Sequence, residues 1–480
     1  DYFADLRLLE GPDPVARMEY VLLSPASRTL YTNEPAMRGL RHERSVDGVT
    51  RIDRWVADDV PAMRPEDRMP GATEVSPYLH VSTYRSFEDV GRWWWGLVRD
   101  QLTIDDSLRA TVAELVRGAP DTRTKVERIY GWVLRRTRYV GLEFGIHGFK
   151  PYRISQVVRR GFGDCKDKAA LLYVMLEEAG IDARIALVRT RHLGDIAEAP
   201  ASLGVFNHAI AYVPELDLYL DGTAETSGTR ELPSADQGVM ALLVDQDGAE
   251  LKRTPVQPAR DQRRERNLVA RLSADGSAAL EGDETIRGVH AAEYRSAYQA
   301  EGTREERLQR RLGGLFPGIR IEHHEFDGLD DFEALVRFKY RAAVPQLAQR
   351  SGETLQVAPS ALEGLTRAFA RTPSRRHPVE LGAATSYVER RTIRLPDGAR
   401  VTQLPDGGEA RSPFGSLVVR FTARGSEIIV TTELSMERDR VAASEYPEFR
   451  RWTEAADALL RQRITVETAA PSRRVAGGMR

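Results

Sequence analysis

The period of the hydrophobic positions changes along the chain, and each change predicts a different kind of secondary structure. Up to about residue 100, apolar and polar residues partly alternate in short segments such as Ala16–Leu23 and Val49–Val56, which indicates strands. An apolar stripe then predicts a helix over Ser86–Gln101, with Ser86 and Asp89 at the spacing of an N-terminal cap. Helical spacing continues over Asp105–Asp182, and strands are predicted again beyond it.

The second half of the chain is predicted to be rich in strands. An Asp-Gly pair at 275–276 indicates a hairpin between two apolar segments, and helices are predicted over 289–314 and 445–463. At about 150 residues per domain, 480 residues predict three domains. We expect a mainly β domain over 1–102, a core of mixed helices and strands over 103–258, and a β-rich domain with a few helices over 259–480.

Charge and composition exclude several classes of protein. The 69 basic and 71 acidic residues nearly cancel, so a general nucleic-acid binder is not expected. No apolar run approaches the roughly 18–20 residues of a membrane helix, and no phosphate-binding glycine motif is present, so neither a transmembrane segment nor a nucleotide is expected. Because the chain begins at Asp1, we expect it to have been processed or trimmed, and a removed export signal would leave no trace here.

The single cysteine lies in a setting that favours a reactive thiolate. Ala169–Ala179 is rich in helix formers and Gly180 is a natural stop, so Cys165 is predicted in the first turn of a helix. Unpaired N–H groups and the helix dipole at that position stabilise a thiolate and can form part of an oxyanion hole. Two of only six lysines, Lys166 and Lys168, are close to this cysteine and can add to that field, although neighbouring aspartates offset them.

A histidine and an aspartate downstream are predicted to share one face of a hairpin. If the turn is Pro214–Asp217, paired residues have numbers that sum to 431, so Asp221 faces Ile210. His208 is two residues before Ile210 on the same strand, and Asp221 is therefore its diagonal neighbour, within side-chain reach. A slip of one residue would move Asp221 to the other face.

These residues resemble the bacterial transglutaminase-like superfamily. The resemblance covers residues 120–245 and rests on five motifs, at 138–145, 163–169, 180–184, 206–208 and 220–223, with 232–238 as the close of the core. It implies an α+β fold, a transglutaminase-like (papain-like) core flanked by two mainly β domains. The first is similar to a β-sandwich module of unknown function that often precedes this core. The resemblance also implies an extracytoplasmic (periplasmic or secreted) location, with a cytoplasmic one still open.

The resemblance further implies roles for particular residues. Cys165 would be the nucleophile, His208 the general base and acid, and Asp221 the carboxylate that orients the imidazole. Five more residues of these motifs are expected at the substrate cleft: Tyr139, Glu143, Asp164, Lys166 and Asn207. No cofactor and no metal are expected, because adjacent histidines in the Glu322–Glu325 segment would point to opposite faces of a strand.

The resulting hypothesis is a thiol acyl enzyme acting on protein or peptide carboxamides through a thioester. An amine acceptor would make it a transglutaminase, whereas water would give deamidation or proteolysis, and the sequence leaves this choice open. The alternative is a catalytically silent binding or scaffold protein that retains the core. In either case the flanking β domains are candidate surfaces for protein partners.

Overall fold

A computed structural model describes residues 2–468. The strands are β1 (Ala4–Leu8), β2 (Val15–Pro25), β3 (Tyr31–Asn33), β4 (Arg41–Asp47), β5 (Thr50–Val60), β6 (Tyr78–Ser82), β7 (Arg138–Tyr139), β8 (Phe162–Gly163), β9 (Arg184–Val188), β10 (His208–Val213), β11 (Leu218–Leu220), β12 (Met240–Val244), β13 (Ala249–Arg253), β14 (Arg263–Leu272), β15 (Ala278–Ile286), β16 (Arg320–Asp327), β17 (Val336–Val344), β18 (Ala348–Ser351), β19 (Thr354–Val357), β20 (Val379–Glu380), β21 (Thr385–Arg394), β22 (Arg400–Gln403), β23 (Gly408–Ser412), β24 (Gly415–Arg424), β25 (Glu427–Met436), β26 (Arg440–Val441) and β27 (Ile464–Glu467). The helices are α1 (Ala72–Val75), α2 (Phe87–Val98), α3 (Asp106–Val116), α4 (Thr122–Arg136), α5 (Ile154–Arg160), α6 (Cys165–Glu178), α7 (Val289–Tyr298), α8 (Glu301–Leu315), α9 (Leu365–Phe369) and α10 (Tyr446–Leu460).

The chain forms two compact units. One comprises the residues up to Val256 together with His377–Gly382, and the other comprises Gln257–Arg376 with the residues from Ala383 onward. The predicted boundaries at 102/103 and at 258/259 stay predictions. Among residues 2–468, no helix combines the length and the apolar character that crossing a membrane would require.

The first unit begins with two antiparallel three-stranded sheets, ordered β1-β6-β3 and β2-β5-β4. One apolar cluster contains residues from both sheets, among them Leu22 and Trp55 on one side and Leu79 and Val81 on the other. The helix predicted over Ser86–Gln101 is confirmed as α2 and a following 3-10 turn, and the Ser86 side chain accepts a hydrogen bond from the Asp89 amide as its spacing indicates.

The rest of the first unit is built around α6 and a five-stranded antiparallel sheet ordered β11-β10-β9-β12-β13. Residues Cys165–Leu176 of α6 are buried on every side, because α3, α4 and α5 pack around the helix together with β9 and β10. A helix that is buried all round fixes the position of its first residue firmly. The arrangement is the predicted α+β core, and the β-rich regions lie before and after it in the chain.

The second unit contains an eight-stranded sheet ordered β16-β17-β15-β14-β21-β25-β24-β23 and a four-stranded sheet ordered β18-β19-β27-β22. The predicted hairpin around Asp275 and Gly276 is confirmed as β14 and β15. In β16, His323 contacts Glu325 while His324 packs against the Phe326 ring, so the two histidines point to opposite faces as predicted.

One helix prediction is wrong, because the segment is not a single continuous helix. The segment 289–314 forms two helices, α7 and α8, that are separated at Gln299 and Ala300. Arg304 donates to the Tyr298 carbonyl at 2.7 Å and Arg307 donates to the Ala297 carbonyl at 2.8 Å, so side chains of α8 satisfy the last carbonyls of α7. Gly302, a weak helix former, lies two residues beyond the break and is a local sequence signal for it.

Candidate active site

Cys165 is the first residue of α6, and two aspartates hold the chain there. The Asp164 side chain accepts from the Asp167 amide at 3.2 Å, and the Asp167 side chain accepts from the Asp164 amide at 3.2 Å. This reciprocal capping box fixes the backbone on both sides of the thiol. Cys165 is mostly buried, with 8% of its surface exposed. The predicted position in the first helical turn is therefore confirmed.

The residue before the cap has to be glycine. A Cβ atom on Gly163 would lie 2.6 Å from the Cβ of Asp167, much closer than two carbon atoms can approach. Gly163 also belongs to β8, which pairs with β7, and its carbonyl accepts from the Val140 amide at 2.9 Å. The short pairing joins the segment after Tyr139 to the loop that carries Cys165.

The two lysines beside the cysteine have structural partners. The Lys166 ammonium lies 2.5 Å from Asp164 Oδ2. Lys168 is fully buried, and its ammonium donates to the Thr137 carbonyl at 2.8 Å, just before β7. Burial lowers the pKa of Lys168, and the negative charges of Glu225 and Asp221 oppose that effect. Both lysines thus bind groups next to the site, Lys166 the cap of α6 and Lys168 the backbone before β7.

His208 and Asp221 meet as the predicted hairpin register requires. The register of β10 and β11 pairs Ala211 with Leu220 and Val213 with Leu218, so paired numbers sum to 431. His208 Nε2 lies 3.2 Å from Asp221 Oδ1. The same oxygen accepts from the Thr223 amide at 2.8 Å and from the Thr223 hydroxyl at 2.7 Å.

The environment of His208 favours the charged imidazolium. Burial alone would lower the pKa of His208. The hydrogen bond and charge of Asp221, the hydrogen bond with Cys165 and the charge of Asp236 outweigh burial and raise that pKa well above its usual value. Burial would likewise raise the pKa of Asp221, but the bonds from His208 and Thr223 hold it below its usual value. The three groups Cys165, His208 and Asp221 therefore form one hydrogen-bonded chain.

A second carboxyl group, Asp236, lies behind His208 and was not singled out from the sequence. Its Oδ2 lies 4.0 Å from His208 Nε2, and the residue is 2% exposed. Burial and the charge of Asp221 raise the pKa of Asp236 to about 7. The only sequence signal was its place in the 232–238 segment, which the resemblance assigned to the close of the core without giving the aspartate a function.

His208, Asp221 and Asp236 also have the geometry of a cation site, since one ligand atom of each lies within 4.8 Å of the others. The hydrogen bonds do not favour this use. Asp221 Oδ1 already accepts from His208 and twice from Thr223, which leaves this oxygen little capacity for a metal ion.

A cavity of about 110 Å³ opens beside Cys165 and His208. Its walls combine apolar and polar side chains in similar measure. The lining residues are Trp94, Glu143, Gly148, Phe149, Cys165, Lys166, Leu187, Leu203, Phe206, Asn207, His208 and Ala209. Glu143, Lys166 and Asn207, three of the five residues expected at the cleft, are thus brought to this cavity.

The other two expected cleft residues lie close to the cavity but do not line it. Tyr139 is 47% exposed at its margin, and burial together with the charges of Cys165 and Glu143 raises the pKa of Tyr139. Asp164 is buried beneath the cavity, where it caps α6 and binds Lys166.

Asn207, which does line the cavity, is held in place by Thr190, whose amide donates to the Asn207 side-chain oxygen at 3.0 Å.

Trp94 is a further lining residue, which the sequence did not place at the site. It is one of three consecutive tryptophans in α2. Its indole Nε1 donates to the Phe149 carbonyl at 2.9 Å, and the ring lines the cavity. Trp94 precedes the predicted core boundary at residue 103, so the walls of the cavity come from a longer stretch of chain than 103–258.

Comparison with known proteins agrees with this architecture. Residues 109–214 match the family model of the transglutaminase-like superfamily, and residues 353–466 match DUF3858, a domain of unknown function with a solved structure. No significant match is found among curated proteins.

The solved structures that match this chain include two that are described as follows. One is the crystal structure of a "putative protease" from Parabacteroides distasonis ATCC 8503, with 14% identity and a TM-score of 0.66, over 97% of this chain and 75% of the other. The second, a "putative cysteine protease" from Cytophaga hutchinsonii, has 14% identity over 53% of this chain and 88% of the other, and its TM-score of 0.21 carries no structural argument.

The fold and the matched region define the class of protein. The chain contains a transglutaminase-like domain on a transglutaminase-like fold, with β-rich regions on either side.

Proposed function

We propose that the protein is a thiol acyl enzyme that acts on protein or peptide carboxamides, with Cys165 as nucleophile, His208 as base and acid, and Asp221 as the orienting carboxylate. One observation carries the proposal. A cysteine at the start of a buried helix is hydrogen-bonded to a histidine whose Nε2 lies 3.2 Å from a buried carboxylate. A nucleophile, a base and an orienting group in this order are what acyl transfer to a thiol requires.

The first half of the reaction forms a thioester. Asp221 holds Nε2, so the other ring nitrogen, Nδ1, takes the proton from the Cys165 thiol. The thiolate attacks the carboxamide carbon, and the new oxyanion faces the unpaired N–H groups at the start of α6. His208 then returns the proton to the departing nitrogen. The carbon–nitrogen bond breaks, the carbon–sulfur bond remains, and ammonia or an amine leaves.

The acyl acceptor determines the product of the second half of the reaction. Water or an amine gives its proton to His208 and attacks the thioester, which restores the thiol. With an amine the product is a crosslink or modified amide, and with water it is a deamidated side chain or a cleaved chain. The structural relative from Parabacteroides distasonis is described as a "putative protease", and hydrolysis is therefore the first outcome to measure.

The cavity beside Cys165 supports a carboxamide substrate. Trp94, Phe149 and Phe206 give the cavity apolar walls, whereas Glu143 and Lys166 are its charged groups. A volume of about 110 Å³ accommodates a small planar group such as an amide. The walls are also expected to keep bulk water from the thioester, which is a condition for transfer to an amine.

The proposal is tested by mass spectrometry with a glutamine-containing peptide library and an amine donor. Wild type is compared with Cys165→Ser and with His208→Asn, which keeps a polar side chain without the base. Amine gain, deamidation or backbone cleavage that requires both residues supports the proposal and names the acceptor. If Cys165 is no more reactive than in the unfolded chain, the alternative of a silent scaffold replaces it.

We also propose that the flanking β-rich regions bind protein partners and that the protein acts outside the cytoplasm. Both statements rest on the family resemblance. Fractionation of the producing cells into cytoplasmic, periplasmic and secreted material tests the location. Recovery in the cytoplasm alone would refute it.

A further inference from the structure

Asp236 is held in place by backbone contacts on both sides. Its amide donates to the Pro233 carbonyl at 2.9 Å, and its carbonyl accepts from the Thr254 hydroxyl at 2.5 Å. The neighbouring Gln237 side chain donates to the Leu232 carbonyl at 2.7 Å, which closes the same turn. The Asp236 carboxyl group is therefore directed at the back of the His208–Asp221 pair by a rigid segment.

Two buried carboxyl groups in contact require one proton between them. Asp221 Oδ1 is occupied by His208 and Thr223, so its other oxygen is the one available to Asp236. The carboxyl oxygens of Asp236 and Asp221 lie within 4.8 Å of each other, and one carboxyl group can donate a hydrogen bond to the other only when it is protonated. Since the bonds from His208 and Thr223 keep Asp221 ionised, the proton resides on Asp236.

We propose that Asp236 is a positioning residue that donates a shared proton to Asp221, holds that carboxylate against His208, and limits the charge behind the imidazole to one. This inference rests on the proposed function of Cys165, His208 and Asp221. It adds a fourth residue, which acts through Asp221 and does not touch the substrate.

Loss of the shared proton would change the chemistry of His208. Burial and Asp221 raise the pKa of Asp236 to about 7, so near that pH a second negative charge forms 4.0 Å from Nε2. The imidazolium then becomes more stable and a weaker acid toward the leaving nitrogen. The titratable groups that face Asp236 directly are Asp221 and His208. Two groups of α6 lie behind them, since Cys165 faces His208 and Lys168 faces Asp221.

The experiment follows the ionisation of Asp236 through its neighbour. Ring ¹⁵N shifts of His208 are titrated in a Cys165→Ser background, where no reactive thiol is needed. With Asp236 present we expect an inflection near pH 7, and Asp236→Asn should remove it. Asp245→Asn, a control in the same unit where Asp245 pairs with Arg184 at 2.9 Å, should retain it. Persistence of the inflection in Asp236→Asn would overturn the proposal.

A second measurement separates positioning from simple packing. The rate of Cys165 alkylation by iodoacetamide is measured at pH 6 in Asp236→Asn and Asp236→Ala. The amide still donates to Asp221, so Asp236→Asn should stay within about twofold of wild type, whereas Asp236→Ala should fall by about tenfold, the effect of one lost hydrogen bond. Equal rates in the two variants would contradict positioning.

The two measurements also separate this proposal from the proposed function. If wild-type Cys165 is unreactive while the His208 titration behaves as expected, the enzyme hypothesis fails and the proton-sharing pair stands. A stoichiometric divalent ion that purifies with the protein and is lost in Asp236→Asn would show a metal site in place of a shared proton, and would overturn the proposal.

Discussion

At the scale of single residues, the orientation of the His208 ring is set by the carboxylate behind it. Nε2 faces Asp221, and in the proposed function this leaves Nδ1 for Cys165. The orientation depends on how firmly Asp221 is held, and Thr223 supplies two of the three hydrogen bonds to Asp221 Oδ1. Thr223 therefore helps to hold Asp221 against His208.

Removal of the Thr223 hydroxyl tests this dependence. Thr223→Val keeps the shape and the backbone bond but loses the donor at 2.7 Å. We expect the alkylation rate of Cys165 at pH 6 to fall by roughly 3- to 10-fold, because the pKa of Asp221 rises and its hold on His208 weakens. Thr111→Val, which removes an exposed hydroxyl on α3, is the matched control and should leave the rate unchanged.

The raised pKa of Asp236 predicts a pH-dependent difference in stability. The folded protein keeps this proton up to about pH 7, whereas the unfolded chain releases it near its usual pKa, so this group destabilises the fold as the pH rises between those values. Asp236→Asn has no such group. The difference in free energy of unfolding, Asp236→Asn minus wild type, should therefore increase by up to about 1.4 kcal/mol per pH unit from about pH 4 to pH 7. Above pH 7 this difference should be constant. Urea unfolding at several pH values measures this, and a difference that does not vary with pH would refute the raised pKa.

At the scale of secondary-structure elements, α6 carries the site because it is buried along its length and starts at a fixed point. Gly163 is part of that start, since a Cβ there would lie 2.6 Å from the Cβ of Asp167. We expect Gly163→Ala to displace the first turn of α6 and to lower the alkylation rate of Cys165 by at least about tenfold, because placement errors of about 1 Å are costly in catalysis.

A second glycine provides the control for this variant. Gly96 lies within α2, and a Cβ on it would meet nothing within 4 Å. Gly96→Ala should keep the wild-type rate and gain up to about 1 kcal/mol in stability, because alanine favours a helix. A Gly163→Ala protein with wild-type reactivity would show that the loop can adjust, and would weaken the argument from the capping box.

The elements of the site differ in how far the sequence alone could predict them. The start of α6 and the register of β10 with β11 follow from local rules, a helix cap and a short turn, and both predictions are confirmed. Asp236 and Trp94 reach the site from segments distant in sequence. Their local pattern is that of a turn and of an amphipathic helix, so only the tertiary fold reveals them. The break between α7 and α8 was missed for a different reason, because the helical pattern continues through it and the one local signal, Gly302, is weak.

At the scale of the whole molecule, the residues proposed for catalysis all belong to the first unit. The second unit has its own buried polar centre, in which Arg266 lies 2.6 Å from Glu284 and 3.4 Å from Glu389. Burial would lower the pKa of Arg266, but the charges of Glu284, Tyr387 and Glu389 raise it well above its usual value. The charged pairs inside this sheet should therefore determine the stability of the second unit without affecting the chemistry of Cys165.

A pair of substitutions on β14 tests this separation. Arg266→Met leaves the buried Glu284 without its cation, whereas Glu389 keeps Arg391 at 3.1 Å, and the loss should cost about 3–5 kcal/mol of unfolding free energy. Arg271→Met removes only an exposed ion pair with Glu281 and should cost less than about 1 kcal/mol. In both variants the alkylation rate of Cys165 should stay within about twofold of wild type under native conditions. A large loss of rate in Arg266→Met while the protein remains folded would show that the second unit takes part in the site.

The most direct test of the central claim is the alkylation rate of Cys165 at pH 6 in the folded protein, compared with the same cysteine in urea. The unfolded chain is an internal reference for an ordinary thiol, which is less than about 1% ionised at that pH. A thiolate paired with His208 should react at least about tenfold faster, and His208→Asn should abolish the difference. A folded Cys165 that reacts no faster than the unfolded one would contradict the account.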